Sequence, residues 1–163
     1  MALEHFRIDD RLIHGQVVVG WGQPLGLRFI VLVDDEVAES EWEQELYRMG
    51  VPPEMDLFFD SVESAARRLP GYRGDRRSGL LLTGDIPTME RLVAKAPGID
   101  RVTVGGIHHK PGRVARLRYV FLTDDEEQRL RALATSGVRV TAQDVPGASP
   151  VPLAELLSGD GTG

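Results

Sequence analysis

Short apolar runs alternate along this chain with longer stretches in which apolar residues return every third or fourth position. Residues 28–33 (RFIVLV) are β-branched and almost continuously apolar, the pattern of a strand buried on both faces. Phe6-Arg7-Ile8 ends an earlier strand, and residues 55–59, 79–83, 101–104, 118–122 and 138–141 supply further ones. Between them, Ala38, Trp42, Leu46 and Met49 share one helical face. Val62, Ala65, Ala66 and Leu69 repeat that spacing after Ser61, an N-cap by residue type, and Pro70-Gly71 are expected to stop this helix. Met89, Leu92, Val93 and Ala96 define another helix, with Pro87 in its first turn. Thr123-Asp124-Asp125-Glu126 reads as a capping box opening a helix with Leu130, Leu133 and Ala134, which Gly137 closes. Ser149-Pro150 starts a last short helix with Leu153, Leu156 and Leu157.

This alternation predicts an α/β fold of three layers, with a mostly parallel central sheet of about seven strands and helices on both faces. One domain over residues 1–157 is expected, with a solvated loop at 70–78 and a disordered tail at 158–163. No apolar run approaches the roughly 18 residues that span a bilayer, and the N-terminal MALEHFRIDDR lacks a signal-peptide layout. The absence of cysteine excludes disulfides, thiolate metal sites and cysteine nucleophiles. A net charge of −6 argues against nucleic acid as a partner, although Arg113, Arg116 and Arg118 can form a local basic patch.

In an open α/β sheet, ligands bind beyond the carboxyl ends of the strands. The polar turns expected there are Asp9 to His14, Asp34-Asp35, Thr83-Gly84-Asp85 and Gly105-Gly106-Ile107-His108-His109. His14 is the strongest candidate, because a neutral imidazole is nucleophilic and can carry a phosphoryl group. Arg11 and the backbone amides of Gly15 and Gln16, at a helix start, can hold the added charge. Asp9 and Asp10 either orient Arg11 and the imidazole or belong to a solvated turn. Asp34, Asp35, Thr83, Gly105 and Gly106 are rim candidates, although a lone Gly-Gly pair reads first as a simple turn. Arg7 is expected on the strand, paired with a carboxylate. His5 reads as structural. The adjacent His108 and His109 suggest a metal, but no third ligand is placed by the sequence, so neither metal nor cofactor is expected.

The string RIDDRLIHGQV at 7–17 resembles the active-site loop of the IIB component of the mannose/fructose/sorbose family of the bacterial phosphoenolpyruvate-dependent sugar phosphotransferase system. VDDEVA at 33–38, VGGIH at 104–108 and GVRVTAQDVP at 137–146 are similar to strand-end motifs of that family, so the resemblance runs from Phe6 to about Pro146. It departs at Val18-Val19-Gly20-Trp21-Gly22, where many members carry a basic residue near the tryptophan. The resemblance implies a cytoplasmic phosphotransferase, peripherally associated with a membrane transport complex. His14 would accept a phosphoryl group on Nδ1 from a phosphorylated IIA protein, and pass it to a sugar brought by the membrane IIC and IID components. It further implies Arg11 as the phosphate-contacting arginine and Asp9 as its carboxylate. Homo-oligomerisation is compatible with this reading. The alternative is a phosphorylation-dependent regulatory module that keeps the fold without sugar transfer, or a receiver-like signalling module using Asp9, Asp10, Thr83 and Lys110, with Asp60 a candidate acceptor.

Overall fold

Alternate residues of the apolar run at 28–33 serve opposite faces of one sheet. Phe29, Val31 and Val33 enter one core, and Ile30 and Leu32 enter another. The structure, a computed structural model, describes residues 3–158. Its strands are β1 (Leu3–Ile8), β2 (Leu27–Val33), β3 (Asp56–Asp60), β4 (Ser78–Thr83), β5 (Arg101–Val104), β6 (Val114–Leu117), β7 (Val120–Leu122), β8 (Arg139–Ala142) and β9 (Val151–Pro152). Seven of them form the main sheet in the order β3-β2-β4-β1-β5-β8-β9. Every pairing in it is parallel except the edge pair β8–β9.

The expected fold class is therefore the observed one, but the seventh strand is a different segment. Residues 118–122 do not join the main sheet. Their apolar part, β7, pairs antiparallel with β6 in a separate two-stranded ribbon, and β9 takes the edge position instead. The ribbon buries Leu117, Val120 and Leu122 in the first core, so the apolar signal is satisfied without sheet membership.

Among the described residues six α-helices surround the sheet: α1 (Gln23–Leu25), α2 (Glu41–Met49), α3 (Val62–Gly74), α4 (Ile86–Lys95), α5 (Asp124–Thr135) and α6 (Leu153–Ser158). Helices α3 to α6 cover one core. A π-helical stretch, Gln16–Gly22, covers the other through Val17, Val18 and Trp21. The side chains of Ser61, Asp85 and Thr123 cap α3, α4 and α5, and the Thr123–Glu126 capping box is complete. Ser158 still ends α6; the rest of the tail expected to be disordered lies outside the described residues.

Two helices depart from the local signals. Helix α3 runs through Pro70 and Gly71 to Gly74. Proline removes one intrahelical donor there, but Tyr72 beyond it is buried beside Phe29 and Phe58 and donates to Asp60 Oδ2 at 2.5 Å. This tertiary anchor holds the last turn, so the expected loop at 70–78 starts later. Helix α2 turns its apolar stripe outward: Trp42, Leu46 and Met49 are each more than half exposed. Its inner side is held instead by Tyr47, stacked on Phe59, and by Gln44, which donates to the carbonyls of Val37 and Ala38.

The register of the central strands positions the site. Ile8 is level with Thr83 of β4 and Val104 of β5, so β1, β4 and β5 end together. The chain leaves each at the same edge, at Asp9, Gly84 and Gly105.

Candidate functional site: a histidine held by a buried aspartate

The loop after β1 turns tightly. Asp9 N donates to Thr83 O (2.9 Å), Asp10 N to Gly106 O (2.8 Å) and Leu12 N to Asp9 O (3.0 Å). Leu12 sits in the left-handed region at φ 59°, an uncommon conformation for a branched residue. Its side chain packs against Gly84, where a Cβ would meet Leu12 Cδ2 at 2.8 Å. This strained turn brings Arg11 and His14 back over the end of β1.

Asp9 is the hub of the turn, and it is fully buried. Its Oδ2 accepts from Arg7 Nη2 (3.3 Å) and from the Gly106 amide (3.2 Å). Its Oδ1 accepts from the Arg11 amide (3.1 Å) and Arg11 Nε (3.4 Å), and lies 3.4 Å from His14 Nε2. Burial by itself would push this carboxyl up. The hydrogen bond to His14 and the charge of Arg7, followed by the Arg11 contacts, outweigh it and hold the group well below the ordinary carboxylate range. Asp9 is thus an anion at neutral pH.

An ionised carboxylate only accepts hydrogen bonds. A hydrogen on the His14 nitrogen that approaches Asp9 at 3.4 Å would suit this acceptor, and in a neutral ring that tautomer puts the lone pair on Nδ1. The His14 side chain is 17% exposed while its Nε2 is buried, so the accessible part of the ring is elsewhere than the Asp9 contact. Arg11 is one-third exposed beside it. The main chain enters the π-helical stretch at Gly15 and Gln16, with Val18 N donating to His14 O (2.9 Å). The first amides of such a segment have no earlier carbonyl to bond.

Arg7 supports Asp9 from below. It is 1% exposed, donates to Gln143 O (2.7 Å) and Asp144 O (3.2 Å), and lies over the Trp21 ring at 4.5 Å. Burial lowers its pKa, against the raising effect of Asp9. Trp21 Nε1 also donates to Asp144 O (2.9 Å). The 143–144 turn and Trp21 were not among the expected site residues. The available signal was an arginine inside an apolar strand, which requires buried acceptors.

The other expected residues divide into two groups. Gly105 and Gly106 belong to the site: the Gly105 amide donates to Ile8 O (2.7 Å), and a Cβ at Gly106 would touch Arg11 Nη2 and Asp9 Oδ1. They make a close backbone approach rather than a simple turn. Thr83 lends its carbonyl to Asp9, while its hydroxyl donates to Asp85 O (3.2 Å). Asp34 and Asp35 serve local structure at the ends of β2 and β3. Asp34 Oδ1 accepts from the amides of Glu36 and Val37, and Asp35 binds the Val62 amide and Arg91. Asp10 faces away from β1 toward His108, whose amide and Nδ1 meet its two oxygens. His5 packs edge-on to Trp21.

The arginines of the ribbon do not make the expected basic patch. Arg113 is forked on Glu126, Arg116 pairs with Glu127, and exposed Arg118 lies 3.9 Å from Asp144. Among the described residues no group of three or more histidines and carboxylates is placed to hold a metal ion. Asp60, the acceptor of the receiver-like alternative, is buried with its oxygens on Tyr72, Ser64 and Arg68. Among the described residues no helix is long and apolar enough to cross a membrane.

A mostly parallel α/β sheet with a histidine held against a buried carboxylate beyond its first strand defines the class of domain. The sequence matches the family described as PTS system sorbose subfamily IIB component over residues 3–162, and the chain belongs to that family of sugar phosphotransferase components. It is 34% identical to the sorbose-specific EIIB component of Klebsiella pneumoniae, over 88% of this chain and 90% of that protein. It is 33% identical to N-acetylgalactosamine-specific phosphotransferase enzyme IIB component 1 of Escherichia coli, over 86% and 89%. Among solved structures, the IIBSor domain of the sorbose permease of Klebsiella pneumoniae superposes with a TM-score of 0.84, at 27% identity over 97% of both chains. The manxB structure of Thermoanaerobacter tengcongensis gives 0.84 at 29% identity, over 96% and 95%.

Proposed function

We propose that this chain is a cytoplasmic phosphocarrier, accepting a phosphoryl group on Nδ1 of His14 from a phosphohistidine of a IIA protein and passing it to a sugar. The sugar would be presented by membrane IIC and IID components, with which the domain associates peripherally. The observation that carries this reading is the approach of His14 Nε2 to Oδ1 of the ionised Asp9, at 3.4 Å. With the hydrogen on Nε2, Nδ1 is the nucleophilic nitrogen of the ring. The mannose-specific EIIAB component of Escherichia coli, 29% identical over 97% of this chain, supports a IIA partner: it is a joint IIA and IIB component, and this chain matches 49% of it.

In the first transfer the Nδ1 lone pair attacks phosphorus, the donor N–P bond breaks, and its electron pair returns to the donor imidazole. Asp9 opposes the positive charge that develops on the ring, acting through Nε2–H. Arg11 and the Gly15 and Gln16 amides oppose the charge on the phosphoryl oxygens. In the second transfer a sugar hydroxyl oxygen attacks phosphorus, the N–P bond to His14 breaks with its electron pair returning to Nδ1, and the hydroxyl proton is released to water. Positioning and charge provide the catalysis.

Incubation with phosphorylated IIA protein followed by mass mapping tests the reading. An acid-labile phosphoryl group on His14, and none on a folded His14→Ala variant, is the expected result. Label on His108, His109 or Asp60 would overturn it.

A further inference from the structure

The contact between Asp10 and His108 has no place in the transfer chemistry, yet it joins the two loops that build the site. His108 donates through its backbone amide to Asp10 Oδ2 (2.7 Å), and its Nδ1 meets Asp10 Oδ1 at 2.5 Å. A carboxylate has no hydrogen to give, so Nδ1–H is the donor. On the other side, Arg113 Nη1 donates to His108 O (2.8 Å), while its fork grips Glu126 at 3.0 and 2.8 Å. Glu126 is fixed in turn by the capping box of α5, where it accepts from the Thr123 amide (2.9 Å). An unbroken polar chain thus runs from α5 through Glu126, Arg113, His108 and Asp10 to the His14 loop.

The segment this chain holds down includes Gly106, whose amide binds Asp9 and whose carbonyl accepts from Asp10 N. The His108 side chain is 57% exposed, and a polar contact that open to water contributes little to folding. Its effect falls on the placement of the loop. His109 differs: its ring meets the edge of Phe121, on the ribbon side.

We infer that His108 is a positioning residue of the phosphoryl-transfer site. Its clasp on Asp10 fixes the Gly106 amide against Asp9, and through Asp9 fixes the tautomer of His14. The inference rests on the assignment of His14 as acceptor, and it gives the Gly-Gly-Ile-His segment a task distinct from phosphate contact.

The test pairs a spectroscopic readout with a kinetic one. Ring-nitrogen NMR of 15N-labelled protein reports the His14 tautomer without any phosphoryl transfer. Wild-type protein is expected to show the Nε2–H form. His108→Ala should shift His14 toward a mixture and slow acceptance from phosphorylated IIA protein by about tenfold or more. His108→Asn, whose amide nitrogen can donate where Nδ1 does, should recover both properties. His109→Ala should change neither. A wild-type Nε2–H ring that His108→Ala leaves unchanged overturns the clasp, whether or not transfer slows, because slowing alone would place His108 on the partner surface. Failure of His108→Asn to restore the ring signal also overturns it. A wild-type ring that is not Nε2–H fails earlier, at the reading of Asp9 and His14 itself.

Discussion

Arg7 occupies the space that any side chain on Gly105 would need: a Cβ there would lie 2.4 Å from Arg7 Nη2. The guanidinium cannot yield easily, because Gln143 O, Asp144 O, Asp9 and the Trp21 ring hold it on several sides. Gly105→Ala should therefore destabilise the fold by about 1–3 kcal/mol through overpacking. It should also disturb Asp9, and so lower phosphoryl acceptance. Urea unfolding with unchanged stability would show that Arg7 has room to move.

Asp9→Asn keeps the shape of the hub but leaves buried Arg7 without its counter-charge. The variant should lose about 3–5 kcal/mol at neutral pH. Because the folded-state pKa of Asp9 is depressed, its stabilisation is complete above the unfolded value of about 3.9 and is lost as pH falls through the folded value. The gap between wild type and variant should stay constant down to about pH 5 and narrow below about pH 4. A gap that does not narrow in acid would mean that Asp9 acts by shape alone.

Arg11→Lys retains the charge and loses the planar fork. Arg11 is partly exposed, so the melting temperature should barely change, whereas transfer should slow by on the order of a hundredfold. Rapid-quench measurement of acceptance from phosphorylated IIA protein decides this; an unchanged rate would make Arg11 a structural partner of Asp9 only.

Tyr72→Phe removes a donor from buried Asp60 while conserving the ring that packs on Phe29 and Phe58. Burial, with Asp60 second, raises the phenol pKa, so the hydroxyl remains a donor well above its ordinary range. The loss should be about 1–3 kcal/mol, with α3 fraying beyond Pro70. Hydrogen exchange across residues 70–74 would report the fraying.

Trp42→Ala should change stability by no more than about 0.5 kcal/mol, since the ring is 68% exposed and makes no core. A loss of several kcal/mol in a thermal melt would show that the helix stripe is buried in solution.

Much of this protein was legible in the residues themselves. The apolar run at 28–33 dictated a strand buried on both sides, and Ser61 and Thr123 marked the starts of α3 and α5, because such signals act within one strand or one helical turn. The string RIDDRLIHG made His14 the candidate acceptor. Tertiary structure alone decided that Pro70 would not end α3, that the 120–122 strand would leave the main sheet, and that the Trp42 stripe would face solvent. It also decided the division of labour between adjacent aspartates, sending Asp9 inward to Arg7 and His14 and Asp10 across to His108. That choice depends on the common ending of β1, β4 and β5, which brings the Gly105 loop to the edge where the His14 loop turns. Periodicity and capping are set by neighbours along the chain, whereas the partners of a side chain are set by strand register between segments about a hundred residues apart, which no local pattern encodes.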